Sequence, residues 1–241
     1  MEVLRSNEPY DLERLRHEVA IAEKIQGFDH GAYGHCISLP DEDDLGERYR
    51  GHHNNLPFAG AFAECTYLRQ IFQSFETEKT SYRLLRRGPQ TAYSLHNDKD
   101  KGVDVVRAQI PIVTSERAFL VLMREDAQVE VPVEELAAME GDVWYDMADL
   151  DRLCGDDYEL FYLEPGYLHY FDTNEIHTLI NADLSERVTL CIDLVLNDWL
   201  RGWIASHLGH RLAPVANPRS PALRWEWNAL RHGIIRNEEY A

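Results

Sequence analysis

Residues 167–196 read YLHYFDTNEIHTLINADLSERVTLCIDLVL. The stretch holds three β-prone runs, 167–171, 176–181 and 187–196, and the turn-forming residues Asn181 to Ser185 separate the last two. Upstream, runs of the same kind occupy 81–87, 91–96, 103–113, 117–123 and 158–163. Gly88-Pro89, Asp98 to Gly102, Thr114-Ser115 and Pro165-Gly166 punctuate them. Eight short strands with turns between them predict a β-sandwich or barrel.

Helices flank this β region. Leu12, Leu15, Val19, Ala22 and Ile25 recur at steps of three and four, which predicts an amphipathic helix over 11–26 ending near Gly27. Residues 27–57, rich in Gly, His, Asp and Asn, read as long loops, and 58–79 read as a second helix. A closing helix is predicted over 197–210, with Trp199, Leu200, Trp203, Ile204 and Leu208 on one side. Beyond Pro214, Trp225, Trp227 and Leu230 suggest a last helix. The chain therefore reads as one domain over 1–241. Its parts are an N-terminal helical and loop region (1–80), a β core (81–196) and a C-terminal helical region (197–241). Between Arg124 and Glu159, 13 acidic residues face only Arg124 and Arg152. This acidic insertion, 124–159, reads as a solvated excursion between strands, or as a lid or field that draws in a cationic substrate.

Composition narrows the function. With 44% hydrophobic residues the 241-residue chain can build a core, and its net charge of −18 is the wrong sign for a generic nucleic-acid or anionic-membrane binder. No apolar run approaches the roughly 20 residues of a bilayer-spanning helix, and Met1 to Glu8 lacks the pattern of a signal peptide. Cys36, Cys65, Cys154 and Cys191 are widely spaced, which fits a reducing cytoplasm rather than a disulfide framework or a zinc-thiolate site.

One constellation carries chemistry. His96 and Asp98 lie two apart at the end of a strand-like run, so both side chains point to one face. His177 opens another strand 81 residues later, and Arg187 opens a third, ten residues beyond that. Two histidines and a carboxylate can cap one face of a six-coordinate metal and leave the other face open. This suits Fe(II), and zinc could take the same ligands. An arginine on a neighbouring strand is the planar, bidentate donor that a distal carboxylate needs. Each residue alone has an ordinary reading: His177 as a core histidine, Asp98 as a turn residue, Arg187 as a surface ion-pair partner. Their joint spacing inside a β region is what favours a site.

These residues resemble the aspartyl/asparaginyl β-hydroxylase-like family of Fe(II)/2-oxoglutarate-dependent dioxygenases. The resemblance spans about Tyr82 to Asp193 and rests on elements in the family's order. His96-x-Asp98 resembles the first metal motif, and Arg107-Ala108-Gln109-Ile110-Pro111-Ile112 resembles the R-x-H-[LI]-x-[LI] strand. Phe171-Asp172, His177, Asn181, Arg187 and Asp193 resemble the F-D…H…N…R…L…D signature. It implies a mainly β fold with flanking helices around a double-stranded β-helix (cupin-like jelly roll) core. By the same resemblance His96, Asp98 and His177 would hold Fe(II), and Arg187 would bind the distal carboxylate of 2-oxoglutarate, with O2 as second cosubstrate. Arg107 would assist at a cosubstrate carboxylate, and Gln109 stands where the family often has His. Retention of Asp98 favours a hydroxylase over a halogenase, which would need that position vacant. Arg83-Leu84-Leu85-Arg86 resembles the strand before the metal motif in free-amino-acid hydroxylases such as proline cis-4-hydroxylases, so Arg83 or Arg86 would hold a substrate carboxylate. The expected substrate is a small free molecule, an amino acid or related metabolite. A peptidyl or carrier-bound side chain, and a non-redox metal-binding cupin, remain as alternatives.

Overall fold

A computed structural model describes residues 2–31, 34–39, 60–89, 91–92, 105–123, 143–145, 158–216 and 223–225. In chain order the strands begin with β1 (Leu4–Arg5), β2 (Asp29–Gly31), β3 (Gly34–Leu39), β4 (Lys79–Arg87) and β5 (Thr91–Ala92). There follow β6 (Val105–Val113), β7 (Ala118–Met123), β8 (Val143–Tyr145), β9 (Tyr158–Tyr162) and β10 (His169–Phe171). The last are β11 (His177–Asn181), β12 (Arg187–Val195), β13 (His210–Arg211) and β14 (Leu223–Trp225). The helices are α1 (Leu12–Ile25), α2 (Thr66–Gln73) and α3 (Asp198–His207).

Two sheets form. The order in the larger is β13-β1-β10-β6-β12-β4-β3-β2, and in the smaller β8-β14-β5-β11-β7-β9. At their centres lie β4-β12-β6-β10 and β5-β11-β7-β9, the alternating order of a double-stranded β-helix, as expected for the core. The paired strands of both centres are antiparallel.

The two-residue period of a strand divides the larger sheet into two faces. Val188, Leu190, Ile192 and Leu194 of β12 join Val106, Ala108, Ile110 and Ile112 of β6 in one apolar cluster. Leu15, Val19 and Ala22 of α1, Leu68, Ile71 and Phe72 of α2, and Leu200 of α3 complete it. The other face turns to the smaller sheet, where Phe171 packs with Leu120, Leu122 and Phe161. Both strands are buried on both faces, so the polar residues Arg107, Gln109, Arg187, Thr189 and Asp193, which alternate with apolar ones along them, are buried as well.

Strand boundaries fall within a few residues of those predicted for the β core, except where 93–96 and 103–104 lie outside the described residues. Three expectations for the flanks need correction. The segment 27–57 is not all loop: β2 and β3 form a hairpin that adds to β4. Its short, Gly- and His-rich strands lack the pattern that announces a strand. The helix expected over 58–79 is a 3-10 turn, Gly60–Phe62, followed by α2, and β4 already begins at Lys79. The Lys79 ammonium donates to the carbonyls of Phe75 and Thr77, and Thr77 Oγ1 donates to Val195 O at 2.6 Å, so the chain turns into the sheet there. Trp225 belongs to β14, paired with β5 and β8, and not to a helix, while Trp227 and Leu230 lie outside the described residues. Most of the acidic insertion 124–159 also lies outside them.

Helix α1 begins where expected, with Asp11 accepting from Arg14 N, and Gly27 at φ +80° follows its end. Helix α2 is capped across the chain. The buried Glu18 carboxylate of α1 accepts from Tyr67 N and Leu68 N, both at 2.7 Å. A negative charge there also meets the positive end of the helix dipole. Among the described residues no helix is long and apolar enough to cross a membrane. Glu18→Ala would orphan two amide donors, at about 1–3 kcal/mol each. A loss of roughly 2–4 kcal/mol, with an unchanged urea m-value, is the expected result; a wild-type midpoint would show that the cap contributes nothing.

Candidate active site

The inner face of the larger sheet carries the polar residues. His169 lies opposite Gln109, Gln109 opposite Cys191, and Cys191 opposite Arg83, so these four form one rung across β10, β6, β12 and β4. Directly opposed residues share a face. The next rung is Phe171, Arg107, Asp193 and Ser81. Arg107 and Asp193 form a bidentate pair, Nε to Oδ1 at 2.6 Å and Nη2 to Oδ2 at 2.9 Å. Arg83 Nη2 stands 3.9 Å from Asp193 Oδ2. The structure thus brings Arg83, Arg107 and Gln109 to one wall. It gives Arg107 an aspartate partner that its expected cosubstrate role did not include.

Arg86 is not brought there. It lies three residues from Arg83, an odd step, so it projects from the opposite face toward α1. Its Nη1 pairs with Glu23 at 2.7 Å and with Glu186 at 3.6 Å, and its guanidinium covers the Phe28 ring at 4.3 Å. The expectation that Arg86 holds a substrate carboxylate is therefore corrected: the residue fastens α1 to the sheet.

Arg187 opens β12 on the inner face and is only 2% exposed. No carboxylate among the described residues pairs with it, and its Nε has no hydrogen-bond partner. Arg87 lies directly opposite it. Burial lowers the Arg187 pKa to about 10, with Cys191 acting upward and Arg87 downward. Thr189, two residues on and on the same face, has a buried Oγ1 that, like Gln109 Oε1, has no partner among the described residues. A buried cation beside orphaned polar atoms is costly unless something else satisfies it. An anionic ligand with hydrogen-bonding oxygens would do so.

His177 opens β11, opposite Leu122, with its ring edge-on to Phe171 at 5.3 Å. Its Nδ1 lies 2.9 Å from the Glu175 carbonyl oxygen. A carbonyl only accepts, so Nδ1 carries the proton and Nε2 bears the lone pair that could bind a metal. His96 and Asp98 lie outside the described residues, as the acidic tract around Asp151 does. The strand before them, β5, runs antiparallel to β11, so its C-terminal end points toward the end of β11 that carries His177. Among the described residues no three potential ligands converge.

Asn181 has a structural task. Its side-chain amide donates to Gly88 O and Ser185 O, both at 2.8 Å, which ties the β11–β12 turn to the end of β4. Thr189 and His169 were not singled out in the sequence. Stepping by two from Arg187 along β12 finds Thr189. Nothing in the sequence marks His169, whose place depends on the register between β10 and β6.

No family model matches the chain, and no curated protein matches it. Solved structures of similar strand arrangement exist at low identity. The non-heme alpha-ketoglutarate-dependent carbocyclase SnoK from nogalamycin biosynthesis superposes with a TM-score of 0.47 and 11% identity, over 92% of each chain. EctD from S. alaskensis, crystallised with 2-oxoglutarate and 5-hydroxyectoine, gives 0.45 and 12%, over 80% of this chain and 71% of that one. AviO1 from Streptomyces viridochromogenes Tue57 gives 0.43 and 15%, over 82% of this chain and 91% of that one.

Proposed function

We propose that the protein is an Fe(II)/2-oxoglutarate-dependent dioxygenase that hydroxylates an unactivated C–H of a small substrate, a free amino acid or related metabolite. The observation that carries this reading is Arg187: a buried guanidinium with no carboxylate partner among the described residues, on a strand next to that of the inner-face residues Arg107 and Gln109.

In this reading His96, Asp98 and His177 hold the iron, and the Nδ1–H of His177 on Glu175 O fixes its ring for that purpose. Iron, 2-oxoglutarate and O2 together supply the oxidation: one oxygen atom enters the C–H bond and the other leaves in succinate, with CO2 released. The chain's own part is placement. Arg187 binds the distal carboxylate through two parallel N–H bonds, and Thr189 Oγ1 donates to the same group. Burial excludes water there and strengthens both contacts. Asp193 locks Arg107 by its bidentate bond, which fixes that guanidinium beside Gln109 on the wall. Arg83, on the same face and 11% exposed at its side chain, is the cation offered to a substrate carboxylate.

Two tests follow. Arg187→Met should raise the 2-oxoglutarate concentration needed for half-maximal succinate release by roughly 30- to 1,000-fold, the range for losing a charged, buried contact of about 2–4 kcal/mol. His177→Ala should fold and release no substrate-stimulated succinate. Full turnover in either variant would sink the assignment, and binding of 2-oxoglutarate without O2-dependent succinate in the wild type would leave a non-redox cupin.

The two arginines of β4 should separate. Arg83→Ala should raise the KM for substrate at least tenfold, a charged contact being worth about 1.5 kcal/mol or more. Arg86→Ala should leave KM unchanged and cost about 1 kcal/mol of stability or less, as a half-exposed ion pair does. The reverse pattern in steady-state kinetics would refute the placement of the substrate.

A further inference from the structure

We infer that His169 is a second anchor for the anion held by Arg187, donating one ring N–H to the ligand carboxylate. The identity of that ligand rests on the oxygenase reading above, which makes no use of His169.

His169 sits between Arg5 of β1 and Gln109 of β6 on the inner face, and its exposure is zero. Among the described residues neither ring nitrogen has a hydrogen-bond partner of proper geometry. Burial lowers its pKa to about 3, with Arg187 and then Arg5 adding to the effect; weak hydrogen bonding to the backbones of Gln109 and Tyr167, short of full geometry, acts in the opposite direction without reversing it. The ring is therefore neutral, with one donor and one acceptor nitrogen.

A buried imidazole without a well-formed hydrogen bond at either nitrogen is expensive to keep. It is not alone on this wall. Arg187 Nε, Thr189 Oγ1 and Gln109 Oε1 are orphaned on the same face. Among the described residues these four side chains, of four chemical types, lack well-formed partners together, which is the pattern of a surface built for a polar ligand. Arg187 sets the charge of that ligand as negative. The neutral imidazole then adds a hydrogen bond without placing a further cation beside the buried Arg187 and the partly buried Arg5. A second arginine at position 169 could donate too, but its charge would be repelled by both.

The test is calorimetric titration of 2-oxoglutarate, with N-oxalylglycine as an unreactive analogue, into the Mn(II)-loaded protein without O2. His169→Phe should weaken binding roughly ten- to a hundredfold, as expected for losing a hydrogen bond to a charged group. His169→Gln, which keeps an N–H donor, should stay within about threefold of wild type. Melting without ligand separates anchoring from mere packing. The Phe variant should melt no lower than wild type, because an orphaned polar ring has been replaced by an apolar one. Its ligand-induced rise in melting temperature should shrink. Equal affinity in the wild type, Phe and Gln variants would overturn the inference, as would a lower unliganded melting temperature with unchanged affinity. If Arg187→Met abolishes binding while both His169 variants bind normally, the oxygenase reading survives and only the anchor is lost. If the wild type binds neither compound, both fall.

Discussion

Strand β12 is buried on both faces, and the two-residue period sorts its side chains into two tasks. Its even positions from Val188 to Leu194 close the apolar core against three helices. Its odd positions, Arg187, Thr189, Cys191 and Asp193, form the polar wall. The strand lies between β4 and β6 and pairs with both over most of its length. A one-residue slip would place Arg187 and Asp193 among leucines and put leucines opposite His177's sheet, so the apolar core itself enforces the register of the site. The placement of Arg83 and the removal of Arg86 follow from the same rule acting on β4.

Electrostatics sharpens the division. The chain carries a net charge of −18, yet the inner face of the larger sheet collects Arg83, Arg87, Arg107 and Arg187, with Asp193 beside Arg107. Asp193 commits both oxygens to Arg107, with Arg83 at a longer distance. Removing a charge from water is costly, and a buried cation without a counter-ion persists only where the fold gains elsewhere or where function requires it. The extensive apolar cluster on the other face of the same strands supplies that gain.

Much of the core was legible because its signals are local. Turn residues bounded the runs, and those runs became β4, β6, β7, β9, β10, β11 and β12 with small shifts at their ends. Capping residues and Gly27 delimited α1. What escaped depends on partners distant in sequence. Glu18 caps α2 from 49 residues before Tyr67. The β2–β3 hairpin is defined by pairing with β4 rather than by its own pattern, and β14 by pairing with β5 and β8. The site shows the same contrast. His177 and Arg187 announce themselves by spacing, and each opens its strand. His169 is visible only once the register of β10 on β6 is known, and the Arg107–Asp193 pair only once β6 lies against β12.

Because one strand serves both core and wall, ligand binding and folding are linked through it. Among the described residues Arg187 Nε, Thr189 Oγ1 and Gln109 Oε1 have no partner and the His169 ring has no well-formed one, each a cost to the stability of the fold. A ligand that satisfies them lowers the free energy of the folded state alone, since the unfolded chain presents no such wall. At a hundred times the dissociation constant that stabilisation is about 2.7 kcal/mol, a large part of the margin of an ordinary domain. In the oxygenase reading proposed above, the polar groups that cost the fold stability are the ones that would make it specific. A wall already satisfied by its own residues would be more stable, and it would have no donors left to tell a carboxylate from water.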